Sequence, residues 1–255
     1  MNNIIACYKW VLDEADIKID ADLSVDSSKA KGKISDYDRN AIEAAVQIAA
    51  QTGGKAVGLT FGNNTAKPSL KDALSRGLEA ACWVKTEQAQ QADGAVTARA
   101  LAGGIKAWGD ISLVICAEGA SDTYSRQTAP RLGALLDMPV LTSICQMKLE
   151  GNTLTAVRKL EDDLETVEVE LPAVVAVLPE INQPTIPGLK AVMAAGKKPV
   201  TEYRAEDLDI DMNPCREILA VKGYAQERKN IMIEGDDAQS VVAELVANLR
   251  KEGVL

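Results

Sequence analysis

There is no histidine among the 255 residues. That absence excludes Ser-His-Asp and Cys-His catalysis, histidine proton shuttling and any histidine metal site. Aromatic residues are also scarce, with a single Phe, three Trp and five Tyr. A sizeable core must therefore come from Ala, Val, Leu and Ile. The five cysteines, Cys7, Cys82, Cys116, Cys145 and Cys215, lie far apart and form no CxxC. An odd, scattered set suits a reducing compartment better than a disulfide framework, and reads as small buried apolar residues. Positive charge is in deficit, and the net charge is −9. That argues against an extended nucleic-acid surface or an anionic membrane surface. No apolar run approaches ~18 residues and no secretory signal is read, so a soluble, cytoplasmic protein without a membrane-spanning helix is expected. Neither GxGxxG nor GxxxxGK[ST] occurs, and no metal site is expected.

What is present is organised around Asp110–Asp137. Ile111 to Cys116 is a continuous, β-branched-rich apolar run, which predicts a strand buried on both faces. Ala117 to Asp122 is small and polar, with Gly119 where the backbone turns or approaches a ligand closely. Arg126 to Leu136 shows helical spacing. A buried strand running through a small-residue loop into a helix start presents backbone N–H groups to phosphate. The plainer reading is an ordinary strand–loop–helix unit.

Four buried strands precede or join this unit in an alternating strand–helix pattern: Ile4–Tyr8, Lys55–Phe61, Ala81–Lys85 and the run just described. Helices are expected after the cap candidates Ser35 and Asp36, after Pro68-Ser69, and over Asp93–Trp108. Gly103-Gly104 in the last of these would admit another backbone. Asp13 to Lys33 reads as a loop or irregular hairpin. The alternation argues a doubly wound, mainly parallel α/β sheet. Lys9 falls at the C-terminal end of the first strand, where ligands collect in such sheets, although it also reads as a solvated surface lysine.

Beyond Pro139 the pattern changes. Val140–Leu149, Thr153–Lys159 and Thr166–Leu171 read as strands, with Gly151-Asn152 as a hairpin turn, and Pro172–Leu178 as another buried strand. The acidic run Glu161-Asp162-Asp163-Leu164-Glu165 reads as a solvated turn, with acid–base work or cation binding as the sharper alternative. Residues 180–216 are punctuated by prolines around a short helix at Leu189–Ala195, and look like an arm that lies on another surface. Ile231–Ile233 reads as a short strand and Ala238–Lys251 as an amphipathic helix. We divide the chain into a nucleotide-binding α/β domain (1–180) and a partner-binding arm and helix (181–255).

The segment Ala156 to Ala176 carries a basic residue, Arg158, then the acidic cluster Glu161-Asp162-Asp163, then Pro172 leading into a buried strand. This resembles the signature of the electron transfer flavoprotein β subunit family. Ala6-Cys7-Tyr8-Lys9, Asn40 to Ala45, Val57 to Gly62, Leu70 to Gly77, Glu118 to Asp122 with Gln127-Thr128, and Asn182 to Lys198 are similar to further family segments in the right order. The likeness covers nearly the whole chain and is greatest to the Fix-type bacterial branch, associated with acyl-CoA or carnitine-linked electron transfer.

The resemblance implies a Rossmann-like, adenine-nucleotide-hydrolase-like subunit with an added antiparallel hairpin and a C-terminal arm. It implies an electron carrier rather than an enzyme, paired with a larger α subunit. FAD would be shared with that subunit, and AMP or a second FAD would lie in this one. A second FAD would go with electron bifurcation. Carried over by position, the cofactor site comprises Cys7, Lys9, Ser35, Asp36, Tyr37, Asp38 and Phe61. It continues through Ala117, Glu118, Gly119, Ala120, Ser121, Asp122, Ser125, Arg126, Gln127 and Thr128. Pro184, Ile186, Pro187, Leu189 and Met193 would meet a redox partner, an acyl-CoA-type dehydrogenase or a quinone oxidoreductase. Two departures stand out. Ser35-Asp36 replaces the family's Asn-Pro, and Ala117-Glu118-Gly119 replaces Gly-Lys-Gln, so that a negative charge sits near the expected phosphate. Two alternatives share the topology. An adenine-nucleotide-binding regulator of the universal-stress type would not need Leu141–Leu178 or the arm. An adenylating enzyme would need an SGGxDS-like loop, which is absent.

Overall fold

A computed structural model describes residues 3–225 and 228–255. The chain opens with strand β1 (Asn3–Cys7), whose side chains alternate between the two faces of the sheet. Ile4 and Ala6 join one apolar cluster, and Ile5 and Cys7 the other. Residues 10–34, of which Asp13 to Lys33 reads as a loop or irregular hairpin, contain four short strands: β2 (Trp10–Leu12), β3 (Lys18–Ile19), β4 (Val25–Asp26) and β5 (Gly32–Ile34). β2 pairs antiparallel with β5, and β3 with β4. Lys33 ties this excursion down by ion pairs to Asp13 (3.3 Å), Glu14 (2.8 Å) and Asp36 (3.0 Å).

Helix α1 (Asp36–Thr52), strand β6 (Lys55–Gly62), helix α2 (Lys67–Ser75), strand β7 (Ala80–Lys85), helix α3 (Gly94–Trp108) and strand β8 (Ile111–Ala117) follow in strict alternation. Helix α4 (Thr128–Leu136) begins two residues later than its spacing predicts, because Arg126 takes a positive φ of 56° that no right-handed helix contains. Next come strands β9 (Val140–Glu150), β10 (Thr153–Lys159), β11 (Leu164–Glu170) and β12 (Ala173–Val177). Helix α5 (Leu189–Ala195), strand β13 (Val200–Arg204) and helix α6 (Ala238–Lys251) complete the chain. Ile231–Ile233, read as a strand, has no regular structure.

Nine strands form one sheet in the order β11-β10-β9-β12-β8-β1-β6-β7-β13. All pairings are parallel except those of β10 with β9 and β11, which build the antiparallel hairpin at one edge. α1 and α2 cover one face, and α3 and α4 the other, each over its own cluster of buried Ala, Val, Leu and Ile. The fold is therefore an α/β, doubly wound, mainly parallel one. β13 lies beyond residue 180 yet closes the far edge of this sheet against β7. The glycine pair in α3 meets side chains rather than a backbone. A Cβ on Gly104 would lie 2.7 Å from Val84 Cγ2, and one on Gly103 would lie 3.1 Å from Ile210 Cγ2.

The strand order places the functional crevice. After β1 the chain moves outward through β6 and β7, then returns to the other side of β1 as β8. That reversal is a topological switch point, where loops leave neighbouring strand ends in opposite directions.

Candidate functional site

The divergence at the switch point is visible in two backbone hydrogen bonds. Just past β1, Tyr8 N donates to Leu59 O of β6 (3.0 Å). Just past β8, Glu118 N donates to Val177 O of β12 (3.0 Å). The two chains thus turn away from each other and open a cleft of about 410 Å³ between them. Lys9, Phe61, Gly119, Ala120, Asp122 and Thr128 line it. Beneath lies a smaller apolar cavity floored by Cys7, Cys116, Ala117 and Leu101, with Asp38 at its side.

The loop from Glu118 to Gln127 is tightly wound. Tyr124 N donates to Ala120 O (2.9 Å), and Tyr124 and Arg126 both hold positive φ, at 43° and 56°. Such conformations cost non-glycine residues about 1–2 kcal/mol each and persist only when surroundings enforce them. The enforcing contacts are aromatic: Tyr124 packs on Tyr37 with ring centroids 5.1 Å apart, and the Arg126 guanidinium lies 5.0 Å from the Tyr124 ring centre. Gly119 is required by close approach, since a Cβ there would lie 2.7 Å from Tyr124 Cδ2 and 3.1 Å from its Cα.

Helix starts around the cleft are not equivalent. Asp93 caps α3 by accepting from Ala95 N and Val96 N, both at 2.9 Å. α4 has no side-chain cap among the described residues; Pro130 lacks an N–H and Arg131 N donates to Gln127 O (3.2 Å), which leaves the N–H groups of Thr128 and Ala129 to meet an anion. Ser35 occupies the expected cap position of α1 but does not cap it. Its Oγ accepts from Ser121 N (3.1 Å) and so ties the loop to α1.

The charged groups are already in pairs. Lys9 Nζ lies 2.5 Å from Asp122 Oδ2, and Lys9 N donates to Asp38 Oδ2 (2.7 Å). Arg126 Nε lies 3.6 Å from Glu118 Oε1, which also accepts from Ser143 Oγ (3.3 Å). Asp38 is only 5% exposed. Burial pushes its carboxyl up to about 7, against the opposing pull of the Lys9 N–H. The hydrogen bond from Cys116, followed by burial, raises the Cys7 thiol, which makes it a poor nucleophile.

Of the residues singled out from sequence, Cys7, Lys9, Asp38, Phe61, Ala117, Glu118, Gly119, Ala120, Asp122, Ser125, Arg126 and Thr128 line the cleft or its floor. Ser35, Ser121 and Tyr37 support it from behind. Asp36 is engaged elsewhere, by Lys33 (3.0 Å) and Arg39 (2.7 Å). Gln127 accepts from Arg131 Nη2 (3.2 Å) on the surface of α4. Sequence reasoning missed Thr97 and Leu101 on α3, and Arg216 and Ile218, which reach the cleft from the C-terminal segment. The helical period of α3 could have supplied the first two. Nothing local signals the others, which Asp93 brings in by accepting from Cys215 N (2.7 Å).

A second surface lies at the start of the arm. Asn40 donates to Pro179 O and Asn182 O, both at 2.9 Å, and Lys198 Nζ donates to Leu74 O (2.9 Å) and Leu78 O (2.6 Å). Both ends of the segment are thereby anchored, and Pro184 and Pro187 are half-buried. Its apolar tips are not covered: Ile186 is 89% exposed, Leu189 78% and Met193 69%. Among the described residues no helix is long and apolar enough to cross a membrane.

The switch-point cleft combines an uncapped helix start with an apolar floor, and the arm presents an exposed apolar loop. Against known families, the model of the electron transfer flavoprotein domain matches residues 22–208, spanning β4 to β13. The chain belongs to the electron transfer flavoprotein domain family, whose members carry electrons, and it is consistent with the β-subunit side of that family.

Proposed function

We propose that this chain is an electron transfer flavoprotein β subunit, which pairs with a larger α subunit in the cytoplasm and shares an FAD with it. The observation that carries this reading is the family match across 22–208. When bound, the flavin supplies the redox chemistry, and this chain supplies binding, orientation and a partner surface. The switch-point cleft holds an adenine nucleotide, AMP or the adenylate half of a second FAD. Its Thr128 and Ala129 N–H groups and small-residue loop suit a phosphate, and its apolar floor suits a flat base. Residues 1–180 supply that site, and residues 181–255 engage partners. The donors are acyl-CoA-type or carnitine-linked dehydrogenases, or the acceptor is a quinone oxidoreductase. The β9–β11 hairpin and the exposed arm have no use in a universal-stress-type regulator, which disfavours that alternative.

Leu189 and Met193 form the docking contact with the dehydrogenase. Replacing both by Asp should slow electron transfer from dehydrogenase to the α–β complex at least about tenfold, the loss of two central apolar anchors. Flavin content and melting temperature should not change, because both side chains are solvent-exposed. An unchanged transfer rate in stopped-flow reduction would remove this loop from the partner surface.

A further inference from the structure

The cleft that holds the α4 helix start is also lined by a buried carboxylate, that of Glu118. Glu118 is fixed by the sheet, through its N–H to Val177 O (3.0 Å), and its side chain is 8% exposed. Oε1 is held by Ser143 Oγ (3.3 Å) and faces Arg126 Nε (3.6 Å). Oε2 is buried and has no hydrogen-bond partner among the described residues. Of the cations that line the cleft, Arg126 is engaged by Glu118 and Lys9 by Asp122, while Arg216 enters from the C-terminal segment. Lys159, Glu161 and Glu180 border the outer side of Glu118, and two of these three are acidic.

A carboxylate with an unmet acceptor, held out of water, repels a second anion more strongly than a surface carboxylate does. A phosphomonoester loses its second proton near pH 6 and carries close to two charges at pH 8. A phosphodiester carries one. We propose that Glu118 is a specificity-determining residue that makes the cleft select an adenine nucleotide whose phosphate is esterified on both sides over one that ends in a free phosphate. This rests on the reading of the cleft as a nucleotide site. The chemical class selected is a nucleotide with a substituent beyond its phosphate.

The test compares AMP with its methyl phosphodiester by calorimetric titration of the full chain. At pH 8 the diester should bind about tenfold tighter, the effect of one extra charge at partly buried range. At pH 5.5, where AMP is largely singly charged, the preference should shrink to under about threefold. Asp38 also gains its charge between these values and disfavours the doubly charged probe in the same sense, so the series is run on Asp38→Asn as well, where the preference at pH 8 should persist. Glu118→Gln added to Asp38→Asn keeps the side-chain shape and should abolish the preference at pH 8. The pH series on Asp38→Asn stands even where the Glu118 variant folds poorly. AMP binding as tightly as the diester at pH 8, or a preference that survives Glu118→Gln added to Asp38→Asn, overturns the proposal while leaving the nucleotide site intact. Failure of both probes to bind overturns the nucleotide reading and this proposal with it.

Discussion

Asp38 bears a carboxyl in a place that disfavours its charge. It is 5% exposed, and burial raises its pKa to about 7 from 3.8. The folded chain therefore holds the proton more tightly than the unfolded chain. The associated stability is fully present below about pH 4 and is lost as pH rises through 7. At about 1.4 kcal/mol per pKa unit, the loss approaches 4 kcal/mol. Asp38→Asn keeps an oxygen to accept from Lys9 N and removes the charge. It should raise stability at pH 8 by about 2–4 kcal/mol, with little effect at pH 4, in urea titrations at the two pH values. A variant no more stable than the parent at pH 8 would mean that Asp38 is charged without penalty. Residue identities around the cleft were partly legible in the sequence. Gly119 signals close approach on its own, and Glu118 stands out against the family pattern. The Lys9–Asp122 pair joins residues 113 apart, and the Asp93–Cys215 bond joins residues 122 apart. Only the topology brings such partners together.

At the scale of elements, packing shows most sharply where α4 crosses β9. A Cβ on Gly133 would lie 1.9 Å from Val140 Cγ2 and 3.0 Å from Met138 O. The helix can approach the strand only because that position is glycine. Gly133→Ala should cost about 2–3 kcal/mol or more through overpacking, although alanine is the better helix former. Adding Val140→Ala should recover part of the loss, since the tightest contact is with its methyl group. Chemical denaturation of the single and double variants measures both. Full stability of Gly133→Ala would show that α4 does not sit this close to β9. The buried inner strands were readable because continuous β-branched runs leave few alternatives. β13 was missed because it is an edge strand, with alternating exposure in Val-Thr-Glu-Tyr-Arg and Pro199 directly before it. The start of α4 was misplaced because the left-handed turn at Arg126 is enforced by Tyr37 and Tyr124, which no helical period encodes. Ser35 was expected to cap α1 and instead holds Ser121, since tertiary contact outcompeted the local bond.

At the scale of the whole molecule, the two ends of the chain differ in how far they bury their apolar groups. The nine-stranded sheet fixes the switch-point cleft on rigid strand ends. The C-terminal portion does the opposite and leaves apolar groups uncovered. α6 is capped by Asp237, yet none of its described residues is buried, and Val242 is 56% and Leu245 44% exposed. Leu219 and Tyr224 before it are 87% and 88% exposed. Exposed apolar surface on this scale is what the proposed pairing with an α subunit would cover. The central claim is that this chain shares a flavin with an α subunit and holds an adenine nucleotide of its own. The most direct measurement is the flavin and adenine-nucleotide content of the co-expressed α–β pair, released by denaturation and resolved by chromatography. The expected result is one FAD per heterodimer at the shared site, with one AMP or one further FAD in this chain. A folded α–β complex that releases no flavin, whether isolated oxidised or reduced, would contradict it.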